Sequence, residues 1–185
     1  GENIVALEVY RWSAGSYLEC QDFWRLSGIE RDVFLYSQPK VAVKDFRVIS
    51  TLDDSYTDGI FKLAVDVRNH ALAGKKMQVF YELIDKVSGK VAVNGVSDCE
   101  VKSSETQTVT FNASLPGVKT WTSEAPNLYK LLITLKEGNE VTEIIPFNVG
   151  FRRIEIKAID QIAKNGKPYV VLLINGQPLK LKGVN

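Results

Sequence analysis

Residues 61–68 read Phe-Lys-Leu-Ala-Val-Asp-Val-Arg, and this stretch decides the fold class. Every odd-numbered position is apolar, whereas the even-numbered positions carry lysine, alanine, aspartate and arginine. Successive side chains of a β-strand point to opposite faces of the sheet. The period of two therefore predicts a strand with one buried face and one solvated face.

The same alternation recurs along the chain, with apolar residues at each odd-numbered position of residues 77–83, 109–115 and 129–135. Residues 41–49, 91–101 and 141–149 read as further strands, and Pro146 marks the last of them as an edge or bulge. About seven short strands over roughly 110 residues, separated by turn signals, are typical of an immunoglobulin-like β-sandwich. The predicted fold class is therefore all-β.

The residues before the sandwich predict a piece of another β domain. Residues 3–12 are apolar on both sides until Glu8, which predicts a buried strand, and residues 32–37 predict a second strand. Two strands cannot bury both of their faces. Residues 1–38, which end just before Pro39, are therefore interpreted as the remnant of a larger β domain.

The residues after the sandwich predict a hairpin. Residues 170–174 and 178–181 flank Asn175-Gly176, a pair that favours a type I′ turn because both residues tolerate positive φ. Residues 151–156 predict a strand or linker, and residues 158–163 predict at most one helical turn. Both ends of the chain look cut from something longer, so targeting signals would lie outside it.

Composition excludes several classes of function. The 185 residues carry a net charge of +1, which offers no electrostatic basis for binding nucleic acid or an anionic membrane. The sequence lacks an apolar run of the ~20 residues that a membrane helix needs. We expect a soluble protein, either cytoplasmic or periplasmic. Cys20 and Cys99 are interpreted as free thiols, with a disulfide left open, and His70 as a surface or edge residue.

Residues 22–35 contain the most unusual loop of the chain. Asp22, Phe23, Trp24 and Arg25 combine a carboxylate, two aromatic rings and a guanidinium. This combination is typical of a binding surface, although large aromatic side chains more often fold back onto a core. The residues alone leave both interpretations open, and residues 33–36 are expected to form a strand.

Catalytic chemistry is not evident from the residues themselves. A glycosidase needs two carboxylates about 5 Å apart for retention or roughly 6.5–9.5 Å apart for inversion, and the sequence cannot place two acids in this way. Asn112-Ala113-Ser114 fits a glycosylation sequon, but it lies within a predicted strand and such triplets are common by chance. The residues alone predict a soluble, β-rich binding or scaffold segment.

Three motifs resemble one family in its own order. Residues 11–33, RWSAGSYLECQDFWRLSGIERDV, closely resemble the end of the sugar-binding domain of the large β-galactosidases of glycoside hydrolase family 2. Residues 121–131 resemble the late part of that family's immunoglobulin-like domain. Residues 149–152 and 173–185 resemble the entry into its TIM barrel.

The resemblance implies an architecture and an activity for a longer parent. Residues 1–38 would end a jelly-roll sugar-binding domain, residues 39–150 would form the sandwich, and residues 151–185 would be the linker and first hairpin of the barrel. The parent would hydrolyse terminal β-D-galactosides with retention, in carbohydrate metabolism, as a homo-oligomer that uses Na⁺ and Mg²⁺. The catalytic glutamates would follow Asn185, so the chain itself would hold no catalytic residue, would be inactive and would bind no cofactor alone.

One functional residue carries over by resemblance. Asp22, in the Gln-Asp-aromatic-Trp motif, is implied to help hold the sodium ion and to contact the galactosyl group of the substrate. A carboxylate suits a hard cation and accepts hydrogen bonds from sugar hydroxyls. Trp24, Arg25 and Arg31 are interpreted as structural.

The chain departs from the family pattern at three places. Ala14 and Cys20 stand where acids are common, which weakens the case for an extended polar network around Asp22. Residues 157–169 look longer than the usual link and are interpreted as an insertion at the domain surface.

Two alternatives remain open at this point. The parent could be a β-glucuronidase or β-mannosidase of the same family, although the form of residues 21–24 favours a galactosidase. A free-standing carbohydrate-binding or adhesive β-sandwich is the alternative from another class.

Overall fold

A computed structural model describes residues 3–18, 26–162, 164–181 and 183 of the chain. Two compact units are present, residues 1–37 and residues 38–185. Among the described residues, no helix is long and apolar enough to cross a membrane.

The second unit contains a two-sheet sandwich built from seven strands. Its three-stranded sheet has the order β1-β2-β5, and its four-stranded sheet has the order β4-β3-β6-β7, with antiparallel pairing throughout. The all-β, sandwich-type prediction is therefore confirmed. The strands are β1 Val41–Leu52, β2 Gly59–Asn69, β3 Lys75–Asp85, β4 Val91–Val101, β5 Thr106–Leu115, β6 Tyr129–Glu137 and β7 Glu140–Val149.

The core consists of the side chains for which the alternation predicted burial. The odd-numbered residues from 61 to 67 in β2, from 77 to 83 in β3 and from 129 to 135 in β6 are almost completely buried between the two sheets. The rings of Phe61 and Tyr81 lie 5.5 Å apart, and those of Tyr81 and Phe111 lie 4.9 Å apart. Gly95 pairs with Tyr81 across the sheet, and a Cβ there would come within 2.6 Å of the tyrosine ring. The core therefore requires a glycine at that position.

Polar side chains close the ends and edges of the sandwich. Asn69 is completely buried, and its amide donates to the carbonyl oxygens of Ala73 and Val101 while its own oxygen accepts from the Ala71 amide. Glu143 of β7 accepts the Val43 amide at 2.7 Å, where a bulge interrupts β1. Pro146 lies in the edge strand β7, as predicted.

A third, smaller sheet follows the sandwich, with β8 Ile154–Ile162, β9 Pro168–Ile174 and β10 Gln177–Pro178 in the order β10-β9-β8. The predicted hairpin turn is present, because Asn175 and Gly176 both have positive φ, 48° and 77°. The helical turn predicted for residues 158–163 is wrong over residues 158–162, since β8 continues to Ile162, and residue 163 lies outside the described residues. Pairing of Ala158 with Val170 supplies cross-strand hydrogen bonds that outweigh a weak local helical tendency.

The first unit differs from its sequence-based prediction. Its described residues contain one short 3₁₀ helix, Ala14–Tyr17, and no strand. The strands predicted for residues 3–12 and 32–37 are therefore wrong, and apolar side chains such as Ile4 and Leu35 are more than four-fifths exposed. An apolar run forms a strand only where neighbouring strands accept its backbone hydrogen bonds and cover its faces. The described residues of this unit supply neither.

Candidate functional site

Asp22 lies outside the described residues, as do Phe23, Trp24 and Arg25 of the same loop. The structure therefore does not test its predicted role as a cation ligand and galactosyl contact. Cys20 is likewise outside, while Cys99 is a half-buried free thiol whose pKa is raised by burial and by Asp98. Arg31 is exposed.

Metal-binding groups do not converge within the described part of the chain. There, no three side chains among histidine, cysteine, aspartate and glutamate are placed to share a metal ion. His70 follows the last residue of β2 and is exposed, as predicted. Sodium and magnesium binding by the parent therefore stay predictions.

The described residues do bring together a dense polar group where the C-terminal hairpin meets the sandwich. We call Asp54, Tyr56, Arg153, Glu155 and Lys157 the junction cluster. Two of its members come from the loop between β1 and β2, and three come from β8 and the residue before it. The cluster therefore joins segments about a hundred positions apart in the sequence.

The loop between β1 and β2 is shaped by Asp53. Its carboxylate accepts hydrogen bonds from the Ser55 hydroxyl and from the amides of Thr57 and Asp58. These bonds, the Ser55 hydroxyl first, lower the pKa of Asp53 to about 2. The tight loop holds Tyr56 in the left-handed region, with φ 59°, and directs its hydroxyl toward β8.

Glu155 is the centre of the junction cluster. One carboxylate oxygen accepts the Tyr56 hydroxyl at 2.7 Å, and the other pairs with Arg153 at 2.9 Å and Lys157 at 3.0 Å. The Tyr56 hydroxyl, followed by Lys157, lowers the pKa of the Glu155 carboxyl. The side chain is only 14% exposed, so these partners replace the water that a free carboxylate would bind.

The two cations of the cluster are held by further contacts. Arg153 also pairs with Asp54 at 2.7 Å, which raises the pKa of the guanidinium, and its charge lies 5.6 Å from the centre of the Tyr56 ring. Lys157 donates to the Tyr56 hydroxyl at 3.0 Å, and this contact together with Glu155 raises its pKa. At neutral pH the charged side chains of Glu155, Arg153 and Lys157 are therefore paired with one another.

The turn at Asn175-Gly176 is anchored beside this cluster. The Asn175 side chain accepts the Arg153 amide at 2.9 Å and donates to the Trp121 carbonyl at 3.0 Å. A Cβ on Gly176 would lie 2.7 Å from the Tyr56 ring. The glycine thus allows the positive φ that the turn needs, and it also leaves room for the Tyr56 ring to lie close to the turn.

The polar groups of the junction cluster serve to hold two segments together and are not arranged for catalysis. A general base needs a free lone pair and a pKa near the working pH. Both oxygens of Glu155 are already occupied, and its pKa is lowered. The cluster therefore positions the hairpin on the sandwich and leaves no free acid–base group at its centre.

We expect the contribution of Glu155 to stability to depend on pH. Because its folded-state pKa is below the ordinary value of 4.5, the carboxylate stabilises the fold above that pH, and this contribution is lost as the pH falls through the lowered value. Replacing Glu155 with glutamine should therefore lower the melting temperature at pH 7 and have a much smaller effect near pH 3.

Thermal unfolding of both proteins across that range measures the difference. Glu100→Gln, on the exposed side of β4, is the matched control and should show no such pH-dependent gap. An equal loss for Glu155→Gln at pH 7 and pH 3 would contradict the ionic role of the cluster.

A surface cleft of about 470 Å³ lies next to the hairpin. Its lining includes Ser50, Trp121, Phe147, Arg152 and Ile154. Trp121 is half-buried, and the guanidinium of Arg152 lies 4.6 Å from the centre of its ring. One face of the indole is thus already covered by Arg152. This argues against a site in which a sugar ring stacks on that face of Trp121.

Comparison with known families assigns both units. The family model "Glycosyl hydrolases family 2" matches residues 41–152, which is more than half of the chain. The chain belongs to glycosyl hydrolase family 2. A second model, "Glycosyl hydrolases family 2, sugar binding domain", matches residues 1–39 of this family 2 chain.

Curated relatives of the family 2 chain are named beta-galactosidase. The protein from Priestia megaterium is 38% identical over 186 residues, and that from Halalkalibacterium halodurans is 36% identical over 187 residues. Each alignment covers 100% of the chain but only 17% and 16% of the relative. The chain thus spans about one-sixth of the length of these curated relatives.

Solved structures share the fold. A beta-glucuronidase from Bacteroides uniformis superposes with a TM-score of 0.67 at 16% identity, covering 80% of this chain and 17% of that one. A family 2 member from Bacteroides cellulosilyticus gives a TM-score of 0.65 at 17% identity, covering 79% and 19%. At such low identity these structures support the family 2 fold alone.

Sequence reasoning missed the junction cluster of the family 2 chain, although one signal was present. Glu155 and Lys157 alternate along β8 and Arg153 immediately precedes it at the same spacing, so the three charged side chains are expected on one side. A negative charge between two positive charges on one side of the chain indicates that these side chains form ion pairs with one another. The partner, Tyr56, could not be identified because it lies 99 residues away.

Proposed function

We propose that this chain is a non-catalytic part of a retaining β-galactosidase that hydrolyses terminal β-D-galactosides. One observation supports this proposal above the others: relatives named beta-galactosidase align over the whole chain at 33–38% identity. The alignments include the loop of Asp22 and the C-terminal hairpin, as well as the sandwich that many family members share.

The absence of catalysis in the chain itself is supported by three of the described carboxylates, which are engaged in structural contacts. Asp53 caps a loop, Glu143 caps a bulge and Glu155 is saturated by Tyr56, Arg153 and Lys157. Groups occupied in this way do not make the pair of free carboxylates that glycoside hydrolysis requires. The catalytic pair of the parent would belong to the five-sixths of the relatives' length that this chain does not span.

The role proposed for the first unit is carried by Asp22. Its carboxylate would supply one ligand to a sodium ion and accept a hydroxyl of the galactosyl group, because hard cations and sugar hydroxyls both favour carboxylate oxygens. The other sodium ligands and the magnesium site would lie elsewhere in the parent, which we propose to be a homo-oligomer.

Activity assays test this proposal directly. The full-length parent should hydrolyse a chromogenic β-galactoside with retention and act more slowly on the matching β-glucuronide and β-mannoside. The 185-residue chain should be inactive on all three and should show no galactose binding by calorimetry. Activity of the chain itself, or a parent that prefers the glucuronide, would overturn the proposal.

A further inference from the structure

The outer face of the three-stranded sheet carries a shallow cavity of about 260 Å³. In antiparallel pairs, residues opposite each other point to the same side of the sheet. The register of β1, β2 and β5 therefore places two rows of side chains across this face. The cavity is lined by both rows, of which the first contains Arg47, Ala64 and Thr110 and the second contains Ile49, Lys62 and Asn112.

Two cationic side chains flank the cavity. Arg47 lies opposite Ala64, and Lys62 is two residues before Ala64 on the same strand, so the two cations occupy diagonal positions. Diagonal neighbours in an antiparallel sheet are about 7–8 Å apart, which is close enough for both side chains to reach one bound group. The side chain of Ala64 is a single methyl group, which leaves the space between them open.

Both cations lack a partner. Within the part of the chain that the structure describes, the side chains of Arg47 and Lys62 form no ion pair and no hydrogen bond. The other arginines of the second unit, Arg68, Arg152 and Arg153, each have a hydrogen bond, a ring contact or an ion pair. Arg47 is thus the arginine of this unit whose donors remain available to a ligand.

The nearest row of acids does not pair with Arg47. Asp45 and Asp66 lie opposite each other in the row on the far side of Arg47 from Lys62. The Asp45 carboxylate accepts the amide of the next residue at 2.8 Å, and the Asp66 carboxylate accepts the Thr108 hydroxyl at 2.6 Å. Neither carboxylate lines the cavity. The cavity therefore lies on the side of Arg47 that faces away from the acids.

The lining of the cavity offers hydrogen-bond donors to an anion. Arg47 presents a planar fork of N–H groups, and Lys62 presents an ammonium group. The exposed hydroxyl of Thr110 and side-chain amide of Asn112 can donate as well. The oxygens of a phosphate or carboxylate accept such bonds, and charge-assisted bonds to arginine are among the strongest in proteins.

We propose that this cavity binds a small oxyanion, the phosphate or carboxylate group of a metabolite about the size of a sugar. Arg47 holds two oxygens through its fork, and Lys62 supplies a second positive charge. Sites for drug-sized ligands span about 300–1,000 Å³, so the volume suits a smaller molecule. This inference goes beyond the proposed function, which assigns no ligand to the sandwich, and it does not depend on β-galactosidase activity.

Titration of the 185-residue chain, followed by the NMR shifts of its backbone amides, tests this site. Inorganic phosphate, glucose 6-phosphate and citrate are the three probes, and sodium chloride holds the ionic strength constant. We expect saturable shifts confined to residues 47–49, 62–64 and 110–112. Tighter binding of glucose 6-phosphate than of citrate would identify a phosphate ligand, and the reverse order would identify a carboxylate.

Arg47→Gln should weaken binding at least about tenfold, because it removes charge-assisted hydrogen bonds. Arg47→Lys keeps the charge but loses the fork, so its affinity should lie between those of the wild type and Arg47→Gln. Arg68→Gln is the matched control, since Arg68 is on the same face of β2 but does not line the cavity. It should leave the affinity unchanged. The side chain of Arg47 is exposed and unpaired, so its replacement should not alter the melting temperature without ligand.

Three results would overturn the inference. The first is the absence of saturable shifts with all three probes. The second is an equal loss of affinity in Arg47→Gln and Arg68→Gln, which would indicate a response to general charge instead of a site. The third is binding of the polyanion heparin at these residues without binding of the small probes, which would identify a macromolecular partner.

Discussion

Replacing Phe61 with alanine is expected to lower the free energy of unfolding by about 3–5 kcal/mol. The ring is completely buried between the two sheets, and it lies 5.5 Å from the ring of Tyr81. Removing it loses the transfer free energy of the ring and leaves a cavity that rigid strands on both sides cannot close. Since domains are stable by only about 5–15 kcal/mol, the loss is a large part of the total.

Urea unfolding, followed by tryptophan fluorescence or circular dichroism, measures this loss. Phe147→Ala is the matched control, because Phe147 is 47% exposed at the edge of the sandwich and packs against Phe46. Its truncation should cost clearly less, since the ring is already partly in water. Equal losses for the two substitutions would show that Phe61 is not at the centre of the cooperative core.

Replacing Asp22 with asparagine in the full-length parent should lower kcat/KM for a β-galactoside at least about tenfold. The substitution keeps the size of the side chain but removes one charge-assisted contact, which is worth about 1.5–3 kcal/mol. Because the proposed role includes a sodium ion, raising the sodium concentration should restore part of the activity. Steady-state kinetics over a range of sodium concentrations measures both effects.

Asp98→Asn serves as the control for Asp22→Asn. Asp98 is an exposed residue of β4 that accepts a hydrogen bond from Gln78, so its loss should leave the kinetics unchanged. Unchanged kinetics and an unchanged sodium dependence for Asp22→Asn would contradict the role assigned to the loop by resemblance.

The sandwich was predictable because its signal is local. Each of the strands β2, β3 and β6 carries its own period-2 alternation, and the side of a strand that is apolar is the side that the core buries. Asn175-Gly176 was predictable for a similar reason, since the backbone freedom of two residues decides the turn.

Two local predictions failed because pairing partners decide strand formation. Residues 3–12 are apolar enough for a strand, but the described residues of the first unit provide no neighbour for them. Residues 158–162 have no clear strand pattern, yet β9 lies alongside and extends β8 to Ile162. A strand is stable only as part of a sheet, so its own residues cannot settle the outcome.

By itself, the sequence of this chain determined the strands of the sandwich, the buried face of β2, β3 and β6, and the hairpin turn. Its motifs also indicated the family. Residues 61–68 show this most clearly, because the burial of their odd-numbered side chains follows from the period-2 alternation alone. Only the tertiary structure decided how the hairpin is held. Tyr56 and Glu155 lie 99 positions apart, and contacts between distant segments depend on how the whole chain folds.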